Sequence, residues 1–250
     1  MKRVWFITGA SRGLGAEIAR AAIDNGDDVV ATARDSNAVE KALGASAHLM
    51  PMSLDVTRPG APERAVKAAV ARFGRIDVLV NNAGYALIGA VEECTDEEVR
   101  GQLDTNLLGL LAVTRSALPT LRAQREGHVF NVSSVAGFRG DPGGSSYSAS
   151  KFAVEGISES WRRSSPRWAS KVTIVEPGYF RTEFLGYDGK QANDPRKLAR
   201  ALVTLANSAS PPLRFTAGAD AVTGFEEQLA SKRAELDRWR ELSVSLAFEE

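Results

Sequence analysis

The sequence predicts an α/β fold in which the strands of a parallel sheet alternate with helices. Three observations carry this. Short apolar runs alternate with longer amphipathic segments along all 250 residues; a glycine-rich turn joins the first apolar run to the first helical segment; and no repeat or low-complexity linker breaks the alternation. The length allows a well-buried core and would permit two small domains, but nothing in the composition argues for two. Residues 1–250 are therefore read as one domain.

Each element has its own local reason. Arg3–Ile7 is the first strand, its apolar run stopped by Thr8 and Gly9. Gly13–Asn25 has helical spacing and is closed by Gly26, a residue that takes the left-handed C-terminal conformation at little cost. Asp28–Thr32 and His48–Leu54 are the next strands, followed by an Ala/Val-rich helix over Pro59–Phe73 ended by Gly74. Ile76–Val80 is the fourth strand. Thr95-Asp96-Glu97-Glu98 is a capping-box sequence that starts another helix. A break is expected before Leu107–Gln124, because Gly101 and Gly109 weaken a helix and Pro119 kinks one. His128–Val132, Lys171–Val175 and a stretch near Leu213–Thr216 bring the strands to seven. After Thr182, turn-forming residues cluster through Pro195 and again at Ser208–Pro212, which predicts a mobile lid over about 182–212. Phe225, Leu229, Leu236 and Trp239 recur among charges, predicting an amphipathic helix over about 220–240 packed on the domain or on a neighbour.

Composition excludes several function classes. Lys plus Arg and Asp plus Glu balance at 31 each, so no net field draws the chain to nucleic acid or to an anionic membrane. Cys94 is the single cysteine and lacks a metal-ligand pattern around it, which favours a reduced, intracellular protein and no metal site. The apolar run after Lys2-Arg3 is too short for a signal peptide, and no later stretch has the apolar length of a membrane span. The expectation is a soluble cytoplasmic protein.

The chemistry-bearing motifs fall in a fixed order. Thr8-Gly9-Ala10-Ser11-Arg12-Gly13-Leu14-Gly15 follows a strand and opens a helix, where a glycine turn can bring backbone N–H groups up to a pyrophosphate; an ordinary βα turn would use the same glycines. Asn81-Asn82-Ala83-Gly84 follows the fourth strand, at the sheet edge where open α/β folds bind ligands. Tyr147 and Lys151 stand four apart on one helix face, with Ser134 thirteen residues before the tyrosine. A free tyrosine has a pKa near ~10, and an adjacent ammonium is expected to lower it. Ser133 competes with Ser134, but strand alternation points the two side chains in opposite directions.

Taken together, the glycine turn, Asn81–Gly84, Asn106, Ser134, Tyr147-x-x-x-Lys151 and Pro177-Gly178 resemble the short-chain dehydrogenase/reductase family in its single-domain form. The likeness covers about Lys2 to Thr182. It implies a doubly wound Rossmann fold with a mostly seven-stranded parallel sheet flanked by helices on both faces. It also implies hydride transfer between a nicotinamide and a small-molecule carbonyl or alcohol. In that reading Tyr147 donates the proton, Lys151 assists it and holds the nicotinamide ribose, Ser134 hydrogen-bonds the developing alkoxide, and Asn106 bends its helix and binds a relay water. Gly9, Ser11, Arg12, Gly13, Leu14 and Gly15 would hold the cofactor's pyrophosphate side, Asp55 and Val56 its adenine, and Asn82, Ala83 and Gly84 its adenosine ribose. Pro177, Gly178 and Thr182 would meet the nicotinamide. Phe184, Leu185 and Tyr187 are the candidates for an apolar substrate wall.

Charge argues for the phosphorylated cofactor. An NAD-selective enzyme places an acid about 20 residues after the glycine turn, to accept from the ribose 2′-hydroxyl. Ala33 stands at that position, Arg34 follows it and Arg12 lies in the turn, so two guanidinium groups can grip a 2′-phosphate. NADP(H) is expected, with NAD(H) the alternative if Asp35 turns back to the ribose. The segment Trp161–Trp168 departs from the family, since Pro166 ends the tyrosine-bearing helix early; this complicates the expected homodimer or homotetramer interface. The rival readings are an epimerase or dehydratase on the same scaffold, and a non-catalytic NADP(H) sensor.

Overall fold

The structure, a computed structural model, describes residues 2–164, 170–185 and 190–248. Its strands are β1 (Val4–Thr8), β2 (Asp28–Ala33), β3 (Leu49–Ser53), β4 (Val78–Asn81), β5 (Gly127–Val132), β6 (Ser170–Pro177) and β7 (Arg214–Ala217). They form one sheet in the order β3-β2-β1-β4-β5-β6-β7, with every pairing parallel. The order reverses between β1 and β4, which opens a crevice at the carboxyl ends of those strands. The helices are α1 (Gly13–Asp24), α2 (Ser36–Leu43), α3 (Ala61–Phe73), α4 (Asp96–Leu103), α5 (Leu110–Gln124), α6 (Ser145–Ser164), α7 (Pro195–Asn207) and α8 (Ala219–Val244). This is the doubly wound Rossmann architecture expected.

Alternation along the strands builds two cores. Trp5 and Ile7 of β1 join Ile18, Ala19 and Leu202 from α1 and α7 on one face, while Phe6 joins Ala65, Val113 and Leu121 from α3 and α5 on the other. Each inner strand is apolar on both faces because helices cover both. A full burial of one such side chain contributes about 1.5–3 kcal/mol, so the sheet centre dominates stability. The buried His128 adds an acid-sensitive element. It contacts Thr173 Oγ1 at 2.9 Å and packs on Phe130, and burial lowers its pKa to about 3. The unfolded chain therefore binds one more proton than the folded chain between pH ~6.5 and the folded value. Folding stability is expected to fall by roughly 1.4 kcal/mol per pH unit from this group as pH drops through that window. Urea titrations of the wild type and His128→Gln at several pH values check this; parallel pH dependences would remove His128 as the cause.

Several sequence expectations need correction. The stretch between β2 and β3, read without a helix, forms α2, capped by Asp35 accepting from Asn37 N at 2.9 Å and anchored by the buried Val39. The break expected before Leu107 is absent: α4 runs into α5 through a π-helical turn over Asp104–Gly109, and α5 continues through Pro119. One extra residue per turn absorbs the misfit that a break was expected to relieve. The proposed lid over 182–212 is too long, because α7 buries Leu198, Ala199, Leu202 and Ala206 in the core. Only the part before Pro195 stays a candidate lid. The terminal helix, expected to be exposed and packed on the domain or on a neighbour, meets the body chiefly through Ala221, Gly224 and Phe225, the last edge-on to Phe138 at 4.9 Å. Leu229, Leu236 and Trp239 are exposed. α6 is helical to Ser164, two residues before Pro166; the rest of the irregular segment lies outside the described residues, as does Tyr187. Among the described residues no helix is long and apolar enough to cross a membrane.

Candidate active site

A cleft of about 870 Å³ follows the carboxyl edge of the sheet. Its floor begins at the glycine turn. Gly9 and Gly13 adopt φ of +67° and +55°, values that side chains rarely tolerate. A Cβ at Gly9 would come within 2.9 Å of Ala83 Cα, and one at Gly15 within 2.3 Å of Gly9 O. The turn is thus folded tightly on itself and on the loop after β4. Asn82 holds it there, its side-chain amide donating to Thr8 O and Gly9 O at 3.0 and 2.9 Å. Thr8 Oγ1 returns the contact by accepting from the backbone N–H groups of Asn82 and Ala83, both at 3.0 Å. Asn82, Ala83 and Gly84 line the cleft, as do Ser11, Arg12, Gly13 and Leu14. Gly15 does not reach it and serves the turn from within α1.

The second strand presents Ala33 and Arg34 to the cleft. Arg34 is exposed; two hydrogen bonds from Thr57, then the charges of Arg58 and Arg34, hold the Asp55 carboxyl below the usual range. Asp35 does not turn toward the cleft; its carboxylate caps α2. Arg12 lies exposed, 3.9 Å from Glu183. Asp55 and Val56 line the same end. At the opposite end Pro177, Gly178 and Thr182 form the wall, with Thr182 packed near Gly13.

Between these ends, three of the predicted catalytic groups converge. Ser134 follows β5 in extended conformation, and its Oγ accepts from Ala136 N at 3.2 Å. The Ser134 side chain is also the one influence that opposes the effect of burial on the Tyr147 phenol. Lys151 lies one turn further along α6, its Nζ donating to Val132 O at 2.7 Å and 5.7 Å from the Tyr147 ring centre. Ser133 points away from the cleft mouth and packs against Gly137 and Glu155, as strand alternation requires. Burial, and not the lysine, decides how firmly the tyrosine holds its proton in the chain itself. Burial pushes Tyr147 up to about 12, and burial lowers Lys151 to about 8. The ammonium is spent on a backbone carbonyl instead of on the phenol oxygen.

Asn106 does not join this group through its side chain. It is buried in the π-helical turn, donates to Tyr85 O and Ser150 Oγ at 3.0 Å each, and accepts from Tyr85 N at 3.1 Å. Its amide is fully used in fixing the loop after Gly84 and in tying that loop to α6. The mouth of the cleft carries residues the sequence reading did not single out: Tyr179 (41% exposed) and Ile88 (61% exposed) stand there beside Phe184 (45% exposed). Phe184 places its ring centre 6.0 Å from that of Tyr147. Tyr179 was within reach of sequence reasoning, since it directly follows Pro177-Gly178; Ile88 carries no local signal. The backbone of Leu185 ends the short 3₁₀ turn Glu183–Leu185. Among the described residues, no group of His, Cys, Asp or Glu is placed to hold a metal ion.

Comparison with known proteins gives concordant findings. The sequence profile described as short chain dehydrogenase matches residues 3–193. Oxidoreductase BOA17 of Botryotinia fuckeliana is 38% identical over 279 aligned positions, covering 99% of this chain and 100% of that protein. A short-chain dehydrogenase from Streptomyces avermitilis superimposes with a TM-score of 0.93 at 36% identity over 99% of both chains. An alcohol dehydrogenase from Thermococcus sibiricus, solved with 5-hydroxy-NADP, superimposes with a TM-score of 0.76 at 27% identity, over 86% of this chain and 96% of that one.

Proposed function

Since this chain belongs to the short-chain dehydrogenase family of nicotinamide-dependent oxidoreductases, we propose that it is an NADP(H)-dependent reductase of a small-molecule carbonyl. The observation that carries the reading is that Ser134, Tyr147 and Lys151 line one cleft, with Lys151 Nζ 5.7 Å from the Tyr147 ring centre. The cleft fits the cofactor: the glycine turn brings the N-terminus of α1 to its floor, where helix N–H groups favour a pyrophosphate. When bound there, the nicotinamide supplies or accepts the hydride.

The chain's own residues do the rest. Ser134 orients the carbonyl oxygen and stabilises charge that develops on it. Tyr147 delivers the proton, and a phenol held at about 12 stays protonated through the neutral range, which suits it to the reducing direction. Lys151 would hold the cofactor ribose, and its ammonium, 5.7 Å from the Tyr147 ring centre, is the proton source nearest the phenol on the same helix face. Asn106 acts as a positioning residue, fixing Tyr85 and Ser150 around the catalytic helix. Ile88, Tyr179 and Phe184 wall the substrate end and favour an apolar group next to the carbonyl. NADPH oxidation against a panel of aldehydes and ketones tests the activity. An absence of turnover with tight NADPH binding would favour a sensor.

Selection of the phosphorylated cofactor is assigned to Arg12 and Arg34, with Asp35 withdrawn into the α2 cap. Each charge-assisted contact to a phosphate is worth about 1.5–3 kcal/mol. The double variant Arg12→Ala/Arg34→Ala is expected to lose on the order of 10² in NADPH affinity while NADH affinity barely moves. Fluorescence titration measures both; equal affinities in the unmodified protein would rule the assignment out.

A further inference from the structure

Directly behind the catalytic lysine lies a buried charge cluster that the proposed chemistry does not use. Glu155 sits one helical turn after Lys151 on α6 and is 7% exposed, and Glu176 on β6 is fully buried. Both face Arg214 of β7, whose Nε lies 3.3 Å from Glu155 Oε2 and 3.5 Å from Glu176 Oε1. The outer side of the same guanidinium binds Glu159 at 2.9 Å, and Thr216 Oγ1 donates to Glu176 Oε2 at 2.5 Å. On the remaining side Glu155 abuts Ser133 and Gly137. A Cβ at Gly137 would come within 2.4 Å of Ser133 Oγ and 3.1 Å of Glu155 Oε1. Ser133 lies between Val132, whose carbonyl holds Lys151, and the catalytic Ser134. The carboxylate is therefore built into the wall that carries two of the three catalytic groups.

We propose that Glu155 is a positioning residue that keeps Lys151 in its ammonium form, and that the Glu155–Glu176 pair on Arg214 sets how much negative charge stands behind the lysine. The proposal rests on the reading of Lys151 given above. The charged groups facing Glu155 are Lys151 and Glu159 from its own helix, Glu176 from β6 and Arg214 from β7; the turn after β5 presents the uncharged Ser133 and Gly137. Two buried carboxylates beside one guanidinium resist being ionised together, so the pair holds a proton into the neutral range; burial raises both, Glu155 to about 7. Burial alone drives Lys151 toward its neutral form, and the Glu155 charge opposes this. As pH rises and Glu155 ionises, Lys151 gains support in the range where it would otherwise lose its proton.

Glu155→Gln keeps the shape and removes the charge. The alkaline limb of the kcat profile is expected to move down by about one pH unit, with Glu155→Asp restoring part of the displacement. NADPH affinity, measured by fluorescence without any carbonyl present, should match the wild type in mildly acid buffer and fall several-fold below it in mildly alkaline buffer. A binding profile that superimposes on the wild type at every pH would overturn the proposal, whether or not a substrate is known. Failure of the reductase reading would show differently, as no carbonyl turnover in the wild type. If Glu155→Gln does not fold, Arg214→Gln supplies the second test. Removing that cation leaves the pair protonated to higher pH, so the alkaline limb of kcat and the NADPH-binding profile must shift in the same direction as before, and unmoved profiles count against the idea equally.

Discussion

Tyr147→Phe is expected to reduce kcat for carbonyl reduction by on the order of 10³-fold, at the upper part of what a positioned general acid contributes. The ring that packs 6.0 Å from Phe184 is retained and only the hydroxyl is lost, so NADPH affinity should change less than threefold. Lys151→Ala behaves differently, lowering kcat and weakening NADPH together because the same ammonium serves proton and ribose. Its Nζ anchors to Val132 O, so some loss of thermal stability accompanies the change. Steady-state kinetics with a confirmed carbonyl, alongside fluorescence titration of NADPH, separates the two variants. Wild-type turnover by Tyr147→Phe would show that another group supplies the proton.

Gly15→Ala is expected to be the most damaging single change outside the catalytic groups. The added carbon would stand 2.3 Å from Gly9 O and 2.5 Å from Asn82 Nδ2, neither of which is the free end of a flexible side chain. Asn82 is held by two carbonyls and cannot retreat without releasing the turn from β1. NADPH affinity should fall by at least two orders of magnitude, and stability by several kcal/mol, the range of overpacking plus a broken buried hydrogen bond. Differential scanning fluorimetry with and without NADPH reads both quantities. A variant with unchanged melting temperature and unchanged stabilisation by NADPH would mean that the turn is looser than its geometry implies.

The strands and the glycine turn were legible because their causes are local. Apolar runs such as Val4–Ile7, bounded by turn residues, can form little else than strands covered on both faces, and a strand–glycine turn–helix sequence fixes where a helix N-terminus must point. α2 was overlooked although Asp35 as cap and Val39 with Leu43 four residues on offered a short helical signal. The π-helical turn left no signal in local periodicity, although the family resemblance implied a bend at Asn106. It exists because Asn106 must reach both Tyr85, 21 residues away, and Ser150, 44 residues away, contacts that no local pattern records.

The grouping of Ser134, Tyr147 and Lys151 was legible in the sequence because a fixed four-residue helical offset and the end of one strand bring them together almost wherever the helix docks. Their protonation was not. The local rule that an ammonium lowers a neighbouring phenol assumes the charge is free to act. Here the docking of α6 on β5 buries Tyr147 and commits Lys151 to Val132 O, and desolvation raises the phenol. The same holds for the charge behind the lysine: Glu155, Glu176 and Arg214 come from three separate elements and meet only once the sheet is complete. Residue order thus determined which groups are present, whereas burial and the long-range packing of α6 against β5–β7 determined how strongly each one holds its proton.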